Sequence, residues 1–196
     1  MNFIEDVNDK INSLKVNSFE VEVLSSGNFI ELRKGTYHLN NGESIIRETV
    51  HKKVGTGNAV AVFAVDEKGK ILLVIQPRVS IPNKDKINVE LPAGYIENGE
   101  DAQIAGIREL EEETGYSAKE MKKIFTFYPT PGFCSEVLHI YEAKNIFKLD
   151  TPKAMDEDEV INSYFLDLEE AYKQVLDGTI KDSKTMIAIQ YAYQNM

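Results

Sequence analysis

The chain has 196 residues, 42% of them hydrophobic and 28% charged, with 22 basic against 32 acidic side chains and a formal net charge of −10. That length buries one good core or a core plus a small appendage, and the composition is globular rather than disordered or fibrous. The acidic balance excludes a nucleic-acid backbone as partner, the apolar runs Ala59 to Val65 and Ile71 to Ile75 are too short to span a bilayer, and one cysteine, Cys134, behind an N-terminus with no basic-then-apolar leader predicts a cytoplasmic protein.

Phe3, Ile4, Val7, Ile11 and Leu14 recur at helical spacing and predict a short N-terminal helix. "FEVEVLSS", "NFIELRKGTYHL" and "SIIRETVHKK" then read as three strands, with turn signals at Ser25 to Asn28 and Asn40 to Gly42. This antiparallel meander is too small to stand comfortably alone, so residues 1–55 are expected to form a subdomain that leans on a partner. After "GTGN" come Ala59 to Val65 and Ile71 to Ile75, whose near-continuous apolar character predicts strands covered on both faces. A helix is predicted from Asp101 to Thr114, with Gly115 at the left-handed C-terminal cap. Strands follow over Lys122 to Tyr128, Glu136 to Ala143 and Asn162 to Leu168. Asp167 with Glu170 opens a helix through Leu176, and a last helix begins near Ser183. The order is mixed α and β, and residues 56–196 are expected to form the main domain.

Between Gly94 and Tyr116 stand seven acids (Glu97, Glu100, Asp101, Glu109, Glu111, Glu112, Glu113) against one base, Arg108. On a wheel of about 100° per residue, Glu109, Glu112 and Glu113 share one face while Ile104, Ile107 and Leu110 lie nearly opposite. The expectation is a helix that buries the isoleucine face and presents three carboxylates. Like charges at these spacings repel, and a hard divalent cation with oxygen ligands would offset that repulsion. A solvated acidic surface is the alternative.

The full spacing, from Gly94 through Glu100, Arg108-Glu109-Leu110, Glu112-Glu113 and Gly115 to Tyr116, resembles the Nudix box without a gap. The resemblance implies an α/β/α sandwich on a mixed sheet and a hydrolase of nucleoside diphosphates linked to another moiety. It also implies Mg²⁺, with Mn²⁺ as the substitute, held by Glu109, Glu112, Glu113 and the carbonyl of Ala93, with Arg108 orienting the carboxylates. Metal ions at such a site neutralise the diphosphate and acidify the attacking water.

Outside the box, "ELPAG" at Glu90 to Gly94, Pro131 fifteen residues beyond Tyr116, "VIQPR" at Val74 to Arg78, "SIIRETV" at Ser44 to Val50 and "MDEDEVI" at Met155 to Ile161 resemble the ADP-ribose pyrophosphatase subfamily. The resemblance implies cleavage of ADP-ribose to AMP and ribose 5-phosphate, with GDP-mannose or ADP-glucose as alternative substrates and a non-catalytic ligand-sensing module as the rival class. It implies substrate-binding roles for Arg78, Arg47, Glu48, Pro131 and Phe133. It also implies a general base in the late acidic loop, Glu157 ahead of Glu159 and Asp156, with a box glutamate as the alternative, and a homodimer in which the N-terminal sheet is exchanged and Arg47 serves the neighbour. Pro77 departs from the subfamily, where an aromatic residue often stands. Tyr37, Tyr128 and Phe133 are candidates for stacking on adenine, and the three histidines show no ligand spacing.

Overall fold

The computed structural model describes residues 3–154 and 160–195, and side chains from residue 7 onward. The chain divides into two compact units, Met1–Gly57 with Thr130–Glu136, and Asn58–Pro129 with Val137–Met196.

The first unit opens with α1 (Phe3–Ser13) and continues as β1 (Val16–Ser26), β2 (Ile30–Leu39) and β3 (Ser44–Lys52), an antiparallel sheet in the order β1-β2-β3. The turn between β2 and β3 needs Gly42 at φ 87°, and the amides of Asn40 and Asn41 donate to the carbonyls of Lys15 and Ser13, which ties that turn to the end of α1. Residues 130–136 add to the sheet at β3: Val50 N donates to Phe133 O at 2.7 Å and Ser135 N donates to Val50 O, with Cys134 beside Val50. In β1 the apolar Phe19, Val21 and Val23 alternate with Glu20 and Glu22, yet the strand is exposed along its whole length.

The second unit holds β4 (Ala59–Ala64), β5 (Lys70–Pro77), β6 (Ile87–Glu90), β7 (Ala93–Tyr95), α2 (Ala102–Thr114), β8 (Tyr116–Phe127), β9 (Leu138–Lys148), β10 (Asn162–Asp167), α3 (Leu168–Leu176) and α4 (Ser183–Gln194). They make a mixed sheet, β7-β4-β9-β8, in which β4 and β9 run parallel, and an antiparallel sheet, β10-β5-β6. Every residue of β4 is buried, as its unbroken apolar run requires. The period of two sorts its side chains. Ala59, Ala61 and Phe63 pack with Leu73, Leu91 and Ile140 against Ala171 of α3 and Ala188 and Ile189 of α4, whereas Val60, Val62 and Ala64 belong to the clusters of Ala105 and Leu110 on α2. Helices on both faces of a mixed sheet are the α/β/α sandwich the sequence implied.

The strands depart from their predicted bounds. β8 and β9 run past the apolar stretches, to pairs such as Glu120 with Lys144 and Tyr116 with Lys148, because a backbone ladder continues wherever the opposite strand does, whatever the side chains. Two short strands, β6 and β7, carry no periodic pattern and are absent from the sequence reading; β5 and β4 recruit them by pairing.

Candidate functional site

Helix α2 is set by its ends. The Asp101 side chain accepts from Gln103 N at 2.8 Å, Gly115 takes φ 71°, and Gly115 N donates to Glu111 O. Gly106 brings the helix onto β4, where a Cβ would lie 3.3 Å from Val60 Cγ2.

The face that α2 buries is not the one its isoleucines predict. Ile104 is 61% exposed and Ile107 half-buried, whereas Ala105, Gly106, Glu109, Leu110 and Glu113 are buried, Glu109 to 7% and Glu113 to 4% exposure. The two carboxylates therefore sit on the packing stripe, and β7 explains why. Glu113 Oε2 accepts from Ala93 N at 2.9 Å, and a Cβ on Gly94 would lie 2.2 Å from the Glu109 carboxyl carbon, so glycine opens the space that Glu109 fills. Small residues at 105 and 106 complete the stripe. Carboxylates desolvated this far must be hydrogen-bonded or paired.

Arg108 supplies much of that pairing. Its Nε and Nη2 grip Glu100 at 3.0 and 3.1 Å, Nη1 reaches Glu109 Oε1 at 2.7 Å and Glu112 Oε2 at 3.1 Å, and Nη2 donates to Tyr95 O at 2.8 Å. The Glu100 hydrogen bonds, above all, raise the Arg108 pKa beyond its ordinary value against the opposing effect of burial, and the same bonds lower that of Glu100. The guanidinium thus holds three box carboxylates together in a fixed fan. In this arrangement Arg108 is the countercharge, and among the described residues no three acidic, histidine or cysteine side chains converge in a metal-holding group.

Arg78 stands just beyond β5, half-buried, and its side-on edge is engaged: Nε and Nη2 donate to Glu90 at 2.7 and 3.0 Å. Glu90 is 1% exposed, and Asn88 Nδ2 and Lys184 Nζ also donate to it. Burial pushes the Glu90 carboxyl upward, but the hydrogen bonds and charges of Arg78 and Lys184 outweigh it and hold the group at about 2. The pKa of Arg78 is raised in turn, by the Glu90 hydrogen bonds first, with the Glu113 charge contributing. One of the two hydrogen-bonding edges of Arg78 thus serves the fold, through Glu90.

The Lys184 end of this network is not legible in the sequence, because a lysine in the first turn of a helix looks solvated. Asp182 was open to detection, since an Asp three residues before Thr185 has the pattern of an N-cap.

Arg47, Glu48, Pro131 and Phe133 all belong to the other unit. Arg47 and Glu48 are exposed on β3, where Arg47 donates to Ile46 O, and Pro131 and Phe133 are exposed in the segment that pairs with β3. Of the candidate stacking rings, Tyr37 tilts against Phe19 at 5.8 Å, while Tyr128 is 67% exposed. Asp156, Glu157 and Glu159 lie outside the described residues.

Comparison with known proteins agrees with this architecture. A curated ADP-ribose pyrophosphatase of Bacillus subtilis is 41% identical over 179 residues, which is 91% of this chain and 93% of that protein. A methanol dehydrogenase activator of Bacillus methanolicus is 38% identical over 89% of this chain and 90% of its own length, and a GDP-mannose pyrophosphatase of Yersinia enterocolitica 32% over 92% and 96%. Among solved structures, an ADP compounds hydrolase superposes with a TM-score of 0.77 over 93% of this chain and 95% of its own, at 18% identity, a likeness of fold. Residues 55–188 match the NUDIX domain model, and with the box helix packed on β7 by its own carboxylates the chain belongs to the NUDIX domain family and is a Nudix hydrolase.

Proposed function

We propose that the protein is a divalent-metal-dependent pyrophosphohydrolase that cleaves ADP-ribose to AMP and ribose 5-phosphate. The observation that carries the reading is the pair of buried carboxylates, Glu109 and Glu113, fixed against the Ala93-Gly94 backbone, with Arg108 paired to Glu109. The substrate is supported by the relative named ADP-ribose pyrophosphatase, which is alike over nearly its full length.

The donor set, hard carboxylate oxygens beside a backbone carbonyl, fits Mg²⁺ or Mn²⁺. Glu109, Glu112, Glu113 and the Ala93 carbonyl would hold the ion, with Glu109 and Glu112 exchanging Arg108 for it. Bound there, it would supply Lewis acidity, neutralising the diphosphate and acidifying a water. The chain's own part is orientation: Glu100 and the Tyr95 carbonyl fix Arg108, Arg108 aligns the carboxylates, and Ala93 N anchors Glu113. The general base would be Glu157, ahead of Glu159 and Asp156, or else a box glutamate, and Arg47, Glu48, Pro131 and Phe133 would contact substrate.

The exposed apolar stripe of Phe19, Val21 and Val23 on β1 supports a homodimer built through residues 1–55, in which Arg47 serves the neighbouring subunit. Sedimentation at micromolar concentration tests this, and a fully active monomer would refute the shared site. A cytoplasmic location is part of the same reading; no described helix is long and apolar enough to cross a membrane.

The testing experiment is release of nucleoside monophosphate from ADP-ribose, GDP-mannose and ADP-glucose with Mg²⁺ and with EDTA. Metal-dependent cleavage fastest on ADP-ribose is expected. Faster cleavage of GDP-mannose would transfer the substrate to the second reading, which the Yersinia relative supports. No cleavage of any would favour a ligand-sensing module acting without turnover.

A further inference from the structure

We infer that Lys184 is a positioning residue which, through Glu90, sets Arg78 so that its outer guanidinium edge receives phosphate oxygens of the substrate; the inference rests on the diphosphate reading above.

Glu90 is saturated. Arg78 Nε and Asn88 Nδ2 donate to Oε1 at 2.7 and 3.1 Å, while Arg78 Nη2 at 3.0 Å and Lys184 Nζ donate to Oε2, four donors for the roughly four positions a carboxylate offers. The Nε/Nη2 edge of Arg78 is therefore spent on a buried anion. Its terminal edge is not: among the described residues no hydrogen bond takes Nη1, and the side chain is 42% exposed. That edge presents two parallel N–H groups, the geometry that grips a phosphate bidentately.

Lys184 is what makes Glu90 immobile. The lysine is 7% exposed, its ammonium also donates to Asp182 Oδ1 at 3.0 Å, and Asp182 Oδ2 caps α4 by accepting from Thr185 N at 3.0 Å and Thr185 Oγ1 at 2.6 Å. Leu91 N, the residue after Glu90, donates to that same Thr185 hydroxyl at 2.8 Å. The end of β6 is thus bound twice to the first turn of α4. Without the lysine, Glu90 Oε2 keeps only Arg78 Nη2 as a donor and the carboxylate loses its tie to α4, so the arginine that it grips is no longer held with its outer edge toward the substrate.

The test compares Lys184→Met, Arg78→Gln and the double variant, reading KM and kcat for ADP-ribose with Mg²⁺, and Kd for ADP by calorimetry in EDTA, where nothing turns over. Lys184→Met is expected to raise KM and Kd about tenfold, ~1.4 kcal/mol, and to leave kcat within about twofold. In the Arg78→Gln background the same substitution should add less than about twofold, because its effect runs through the arginine. Equal losses in both backgrounds, or a folded Lys184→Met with unchanged KM and Kd, would overturn the inference. Should Lys184→Met alone fail to fold, the pair Lys184→Met/Glu90→Gln, which removes one charge of each sign, must show the same rise in KM, and an unchanged KM would again overturn it. Wild-type protein that binds ADP but cleaves no nucleotide sugar would end the hydrolase reading and leave the phosphate site standing, whereas wild type that neither binds nor cleaves would end both.

Discussion

Replacing Glu90 by glutamine removes the anion at the centre of the Arg78–Lys184 network with little change of volume. The carboxyl is held at about 2 against an ordinary 4.5, a difference of about 2.5, which corresponds to about 3 kcal/mol at 1.36 kcal/mol for each. Because the group is 1% exposed, solvent screening takes little from that figure. The folded-state value is depressed, so the stabilisation is fully present above the unfolded value near 4.5 and is lost as pH falls through the folded value near 2. Urea unfolding of wild type and Glu90→Gln at pH 7 and pH 3 reads this directly. The gap should be about 3 kcal/mol at pH 7, or roughly 1.5 M in urea midpoint, and about half as large at pH 3. Other carboxylates titrate in both proteins and cancel in the difference. A gap that stays constant between the two pH values would refute the charge-based account of Glu90.

Gly94→Ala puts a Cβ 2.2 Å from the Glu109 carboxyl carbon, so it should displace that side chain and lower kcat by about 10²-fold or more, as misplacement of about 1 Å does elsewhere; thermal unfolding beside the rate assay separates displacement from collapse, and wild-type kcat would refute the close packing. Glu113→Gln keeps the size and a hydrogen-bond acceptor for Ala93 N but removes the charge. Metal-dependent turnover should fall by about 10²-fold or more while the melting temperature stays within a few degrees, and unchanged turnover would sink the ligand role. Leu110→Ala empties a fully buried position between α2 and the sheets and should cost about 2–5 kcal/mol in urea unfolding; a cost under 1 kcal/mol would contradict the packing of α2.

Whatever in this protein depends on neighbours in sequence was legible from sequence. The strand β4 reads as buried from its unbroken apolar run, the helix α2 reads from Asp101 to Gly115 because a cap and a left-handed glycine are local devices, and the box is a matter of spacing alone. The tertiary structure decided the rest. Hydrophobicity chose the isoleucine face of α2 as the buried one, yet Ile104 is exposed and Glu109 and Glu113 are buried, because a glycine on β7 and a backbone amide at Ala93 receive the carboxylates. No local rule prices a charge by the strand it will meet. Likewise Glu90 and Lys184 are 94 residues apart, and each alone looks like an ordinary surface charge. Only the docking of α4 against the end of β6 makes them one desolvated network with Arg78, since electrostatic coupling is set by distance and burial in the folded chain and not by order along it.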